Sequence, residues 1–202
     1  MGKIKELSTL VETKFMSLYD IKYLNKAKEE KSWIVASRKK KEDLEGMYLE
    51  NKKDKVDAVI ICAYHKDEKK LVVIKEFRIP INKYIYELPA GLVDSDDIGF
   101  EETVKRELKE ETGLDVVEIK KDLSATQVYL SPGMTDESAA FVYCICEGKL
   151  SNEYLEDDED IEGVLVSQEE AKEILNNKEI PLDIRVYLTL QSFVLLGEKM
   201  FI

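Results

Sequence analysis

Hydrophobic and polar residues alternate only loosely over the first fifty positions. Residues 14–23 (Lys-Phe-Met-Ser-Leu-Tyr-Asp-Ile-Lys-Tyr) and 33–38 (Trp-Ile-Val-Ala-Ser-Arg) read as short strands joined by a polar turn, and 47–50 reads as another. From position 56 the pattern changes. Two strongly apolar, β-branched runs, 56–64 and 71–77, flank a polar turn at 65–70 and predict a central hairpin. A short strand at 84–88 ends at Pro89-Ala90-Gly91, where the backbone must leave the sheet. After a polar loop at 94–97, residues 100–112 carry a helical period. Val104 and Leu108 share a face as i and i+4, and Gly113 stands where a left-handed C-cap is favoured. Strands are expected at 116–128 and 139–147, with Ser131-Pro132-Gly133 in the loop between them. An acidic loop at 153–162, a strand at 163–167, a helix at 168–176 capped by Ser167, and a final amphipathic helix at 182–196 complete the chain. The change of pattern places a boundary near residue 50. It divides an N-terminal strand region, 1–50, from an α/β core domain, 51–202.

Composition narrows the function. Of the 202 residues, 44% are hydrophobic, enough for a packed core, and the formal net charge is −12. A chain this acidic repels phosphate backbones, so nucleic acid is not an expected partner. A small anionic substrate would need a bridge of metal ions or arginines. Cys62, Cys144 and Cys146 lie in apolar runs at spacings that fit no zinc pattern, and read as buried, reduced thiols. The first residues lack the apolar run of a signal peptide, and no stretch approaches the roughly 20 apolar residues of a membrane span. A soluble, cytoplasmic protein without a membrane partner is expected.

The chemistry concentrates in Arg106-Glu107-Leu108-Lys109-Glu110-Glu111. On a helix, Glu107 meets Glu110 at i+3 and Glu111 at i+4, at a cost of roughly 0.2–0.5 kcal/mol per like-charged pair. Arg106 offsets part of this by reaching Glu102 and Glu110. A solvated, salt-bridged face would look the same in isolation. The preceding Pro89-Ala90-Gly91 turn changes the reading, because it can bring a backbone carbonyl beside the three carboxylates. That is an oxygen set for a hard divalent cation such as Mg²⁺, the ion that diphosphate hydrolysis uses to neutralise phosphate oxygens.

These residues resemble the Nudix box. The family pattern is Gly, five residues, Glu, seven residues, then Arg-Glu-apolar-x-Glu-Glu-x-Gly-apolar. The stretch from Arg106 to Leu114 matches every fixed position of the second half. The first half differs twice. Asp97 stands where Glu is expected, and the loop from there to Arg106 is one residue longer. In the family that Glu chiefly supports local geometry. The resemblance implies a Nudix α/β/α sandwich with a mixed sheet, preceded by a small N-terminal strand region. It makes Glu107, Glu111 and Glu110 metal ligands, with the Ala90 carbonyl as a backbone ligand. Arg106 would orient those ligands, and Mg²⁺, or Mn²⁺, would be the cofactor.

Features beyond the box resemble the ADP-ribose pyrophosphatase branch. Glu76-Phe77-Arg78 and Glu87-Leu-Pro-Ala-Gly-Leu-Val-Asp94 match its Gln-Phe-Arg and Glu-apolar-Pro-Ala-Gly segments. Arg78 would then contact a phosphate or the terminal ribose, and Leu92 would border the substrate. A surface arginine ending a strand is the plainer alternative. The segment from Ser131 to Glu137 resembles that branch's Ser-Pro-Gly loop, with about three more residues before it, and would place Gly133 and Glu137 at the substrate. A simple proline turn is its alternative. In these enzymes an aromatic of the N-terminal strand stacks on adenine and an arginine five residues on lies nearby, often across a dimer interface. Trp33 and Arg38 take those positions, with Phe15 as the opposing aromatic; a lone tryptophan can equally be core packing. Finally, Glu156-Asp-Asp-Glu-Asp160 resembles the loop that brings a catalytic carboxylate over the metals. Glu159 is taken as that base and Asp157 as the next candidate, against a plain solvated acidic loop.

The implied reaction is ADP-ribose plus water giving AMP and ribose 5-phosphate, performed by a homodimer. Two competing readings are a Nudix enzyme for another nucleoside diphosphate sugar and a Nudix module that senses a nucleotide without cleaving it.

Overall fold

The computed structural model describes residues 3–94, 99–156 and 159–202. Among the described residues, eleven strands and four helices follow one another in chain order. They are β1 (Ile4–Glu12), β2 (Ser17–Leu24), β3 (Glu30–Ser37), α1 (Lys41–Glu50), β4 (Ala58–His65), β5 (Lys70–Arg78), β6 (Lys83–Glu87), β7 (Ala90–Leu92), α2 (Phe100–Thr112), β8 (Asp115–Ile119), β9 (Ala125–Tyr129), β10 (Ser138–Glu147), β11 (Ile161–Val166), α3 (Gln168–Asn176) and α4 (Ile184–Leu196). The chain divides into two compact units. One comprises Met1–Asp57 with Gln127–Ala139, the other Ala58–Thr126 with Ala140–Ile202.

In the first unit, β1, β2 and β3 form an antiparallel sheet. Alternation along β2 turns Tyr19 and Ile21 inward, where they meet Leu7 and the fully buried Leu44 of α1. Residues 47–50, read above as a strand, are the last turn of α1. Four residues are too few to show a period, and the helical signal lies in Leu44, Met47 and Tyr48 at i, i+3 and i+4. Strand β1 has no strand period in its sequence, because its pairing slips between Ile4 and Glu6 and again between Thr9 and Val11, and each irregularity breaks the period of two.

In the second unit a sheet runs β11-β5-β4-β10-β8, with β6 and β7 paired to β5 and β4. Along β4, Val59, Ile61 and Ala63 face Val104 and Leu108 of α2. On the opposite face, Tyr64 stacks on Phe201 at 5.1 Å and meets Phe193 of α4 edge-on. Helices thus cover both faces, the α/β/α sandwich expected from the sequence. Cys62, Cys144 and Cys146 are buried and free, as expected. The run 116–128 is not one strand. A 3-10 turn at Lys121–Leu123 divides it into β8 and β9, and Ser124 seals the break by donating to Lys120 O and accepting from Tyr143 N. Helix α2 ends as its sequence requires, with Gly113 at φ 75°. Helix α3 starts on a reciprocal capping box between Ser167 and Glu170. Among the described residues, no helix is long and apolar enough to cross a membrane.

Candidate active site

The site of the second unit grows out of the core. On the face of β5 that meets α2, Val72 is fully buried, and the same face then passes through Ile74 to Glu76 and Arg78. Strand β6 brings Glu87 opposite Ile74. Helix α2 buries Val104 and Leu108, and the neighbouring stripe carries Glu107 and Glu111 inward, at 8% and 4% exposure. Two polar carboxylates this deep in a helix face are costly unless something compensates them. Strand β7 supplies the seat. Ala90 N donates to Glu111 Oε2 at 3.1 Å. The Glu107 carboxylate lies so close over Gly91 that a side-chain carbon there would fall on it.

Arg106 gathers the acids. Its Nη1 lies 2.8 Å from Glu107 Oε1 and 3.0 Å from Glu110 Oε2, while Nη2 donates to Leu92 O at 3.2 Å and lies 3.2 Å from Asp94. Arg78 is held by Glu76, 2.8 Å from Nη1, and by Glu87, which accepts from its Nε at 2.8 Å and also from Nη2. The expected phosphate-binding arginine is therefore forked between two carboxylates. Burial pushes the Glu107 carboxyl up to about 7 against the pull of Arg106, and lifts Glu76 to about 7 against Arg78. Burial raises Glu111 well above the usual carboxylate range, with Glu107 and Glu76 adding to it. Negative charge here exceeds what the two arginines neutralise.

Such a surplus of hard oxygen donors suits a divalent cation. Among the described residues, no ready-made group of three or more His, Cys, Asp or Glu ligands surrounds one point. Arg106 bridges Glu107 and Glu110, and Glu111 is held separately by Ala90 N, so a cation would have to draw the three carboxylates to one point. The donor chemistry and the Gly91 seat fit one. Glu159, half-buried, lies within the electrostatic field of Glu76, Glu107 and Glu111. Its backbone N donates to Glu156 O, and its carboxylate accepts from Glu156 N at 3.0 Å. Asp97 and Asp157 lie outside the described residues.

The first unit assembles the other expected residues. Trp33, 52% exposed, donates from Nε1 to Gly133 O at 3.3 Å. Arg38 Nε donates to Glu137 Oε1 at 3.1 Å. Trp33 borders a cleft of ≈ 300 Å³ with Tyr48, Tyr129, Pro132, Met134 and Asp136. Phe15 is not brought to it. The ring sits at the β1–β2 turn, beyond the Ser17–Ser37 pair, four residues along β3 from Trp33, about 13 Å at strand spacing. In the sequence Glu76 and Glu87 stand out only as parts of the Glu-Phe-Arg and Glu-Leu-Pro-Ala-Gly segments, and the structure makes them members of the site. The signal was available: Glu76 and Arg78 alternate on one strand face directly after a continuous apolar run.

A model of the NUDIX domain family matches residues 54–187, well over half of the chain. A nudix hydrolase from Caenorhabditis elegans is 37% identical over 119 residues, which cover 55% of this chain and 52% of that protein. The ADP-ribose pyrophosphatase of Bacillus subtilis (strain 168) is 35% identical over 118 residues, covering 56% of this chain and 60% of the relative. The matched region thus spans little more than half the length of these relatives. A solved structure of an ADP compounds hydrolase covers 98% of this chain, and 96% of its own length, with TM-score 0.68 at 16% identity, a likeness of fold. The Arg106–Leu114 pattern, the glutamates it sets against Gly91, and the family match over residues 54–187 agree, and the chain belongs to the NUDIX domain family.

Proposed function

We propose that the chain is a Mg²⁺-dependent diphosphatase that cleaves ADP-ribose to AMP and ribose 5-phosphate. The observation that carries this is the pair of buried glutamates, Glu107 and Glu111, seated against the Ala90–Gly91 backbone and short of positive charge. The pyrophosphatase named for ADP-ribose among the relatives supports the choice of substrate. Glu107 and Glu111, with Glu110 and the Ala90 carbonyl, would hold Mg²⁺ or Mn²⁺. Bound there, the ion supplies neutralisation of the diphosphate oxygens. Arg106 keeps Glu107 and Glu110 turned to one side. Ala90 N–H keeps Glu111 in place. Glu159 accepts the proton of the attacking water as its oxygen bonds to phosphorus and the bridging P–O bond breaks. Arg78 and Leu92 would contact the diphosphate and terminal ribose; in the first unit, Trp33 would stack on a base, with Arg38, Gly133 and Glu137 around it.

A panel of nucleoside diphosphate sugars differing in base and sugar, assayed with Mg²⁺, is expected to give ADP-ribose the highest kcat/KM. Another compound turned over at least about tenfold better, a difference of roughly 1.4 kcal/mol, would move the proposal to that substrate. Nucleotide binding without turnover of any compound would leave a sensor.

The same proposal makes the protein a homodimer joined through its N-terminal strands. Leu10, Val11, Phe15, Met16, Leu18 and Ile34 are exposed on or beside β1, β2 and β3, an apolar surface that a second copy would bury. Sedimentation velocity at micromolar concentration is expected to show the dimer mass, and a monomer would remove the second copy.

A further inference from the structure

The end of β3 carries a second charged cluster, wholly within the first unit. Lys39 Nζ lies 2.7 Å from Asp57 Oδ1, 3.2 Å from Asp136 Oδ2 and 3.5 Å from Asp54 Oδ1. None of the four side chains is more than 13% exposed. Burial works against the ammonium charge, but Asp57 and Asp136 outweigh it and raise the Lys39 pKa. Asp57 also ties down the start of β10, accepting from Ser138 N at 2.9 Å while its own N donates to Ser138 O. Asp136 belongs to the loop of residues 131–137.

That loop has little apolar anchorage; Met134 is 70% exposed. Its attachments to β3 are polar: Ala36 N to Met134 O at 3.0 Å, Trp33 Nε1 to Gly133 O, and Arg38 to Glu137. The Arg38–Glu137 pair is about a third exposed and therefore screened by water. The Lys39–Asp136 contact is the ion pair of this set that is largely shielded from water.

We propose that Lys39 is a positioning residue: by holding Asp136 and Asp57 it fixes the 131–137 loop against β3 and so sets the cleft beside Trp33 in which the substrate's base is bound. The inference rests on the reaction proposed above for its substrate and on the first unit alone for its geometry. A purely structural lysine would lower stability without changing how the cleft meets the base, so the test needs readouts that separate the two.

Asp136→Ala removes the loop's side of the contact and leaves Lys39 paired with Asp57 and Asp54. Lys39→Met removes the cation from all three aspartates, and Lys39→Arg keeps it. Asp136→Ala and Lys39→Met are expected to raise KM for ADP-ribose about tenfold while kcat stays within about threefold. Trp33, the only tryptophan of the chain, should become easier to quench with acrylamide and emit at longer wavelength in both. Lys39→Arg should recover part of each change. Should Lys39→Met fail to fold, Asp136→Ala carries the test. A folded Asp136→Ala protein with wild-type KM and wild-type Trp33 quenching overturns the proposal, as does a loss confined to kcat. Quenching is read without substrate. It therefore judges the loop even where the wild type leaves ADP-ribose intact, a result that counts against the substrate alone.

Discussion

Glu111→Gln is expected to lower kcat/KM by at least about 10³-fold, roughly 4 kcal/mol of transition-state stabilisation, and at the same time to make the metal-free protein more stable. The two signs have one cause. Glu111 is 4% exposed, accepts a hydrogen bond from Ala90 N, and sits in the repulsive field of Glu107 and Glu76. Without a cation, folding must either bury its charge or bind a proton to it, and both oppose the folded state. Glutamine fills the same space, still accepts from Ala90 through its amide oxygen, and offers an N–H to the nearby carboxylates. The gain is about 1–3 kcal/mol, or roughly 2–12 °C in Tm for a chain of this size. Thermal unfolding in a chelator reads it directly. Adding Mg²⁺ should then raise the wild-type Tm by mass action and leave the variant nearly unmoved. A glutamate that merely braced α2 would give the opposite result in the chelator, a lower Tm on substitution. That outcome, or retained turnover, would remove Glu111 from the metal site. Function at the expense of stability is the expected signature of a binding residue.

Legibility of the sequence followed the physical origin of each signal. Helix α2 was readable end to end. Its apolar stripe is regular, and Gly113 marks a stop that other residues make only at a conformational cost. The glutamates were readable because their spacing is fixed by the same helix. Local signals failed where structure depends on distant partners. Tyr48 and Met47 look like strand residues until Leu44, Leu7 and Tyr19 give them a helical packing surface. Glu87 looks like an ordinary strand polar residue until β5 and β6 pair, and only that pairing sets it beside Glu76 on Arg78. Lys39 lies in the run Arg38-Lys39-Lys40-Lys41, which reads as solvated charge. Its three aspartates come from positions 54, 57 and 136, and no local pattern announces that they meet. For residues 127–139 no local pattern shows that they pack with the first fifty-seven; only the resemblance, which sets Gly133 and Glu137 at the same substrate as Trp33 and Arg38, implies it.

Gly91→Ala is expected to abolish Mg²⁺-dependent turnover, again by about 10³-fold or more, although alanine is the smallest change the site can receive. Gly91 pairs with Val59 in the β4–β7 ladder and is not among the glycines with positive φ, so alanine is conformationally acceptable there. The whole effect is steric. A methyl group at Gly91 would occupy the position of the Glu107 carboxylate, so either that side chain swings away or β7 and α2 part. Overpacking of this kind costs typically about 1–3 kcal/mol, a drop of a few degrees in Tm, which leaves the fold standing. The double variant decides whether the loss passes through Glu107. If Gly91 matters because it seats that carboxylate, Gly91→Ala combined with Glu107→Gln should be little worse than Glu107→Gln alone. The coupling energy between the two positions would then nearly equal the full effect of the alanine. Additive losses would mean that Gly91 serves the reaction by another route, such as close approach of the backbone to the substrate. Turnover within tenfold of wild type in Gly91→Ala would show that the glutamate can leave its seat and still act, and would dissolve the link between that seat and the metal.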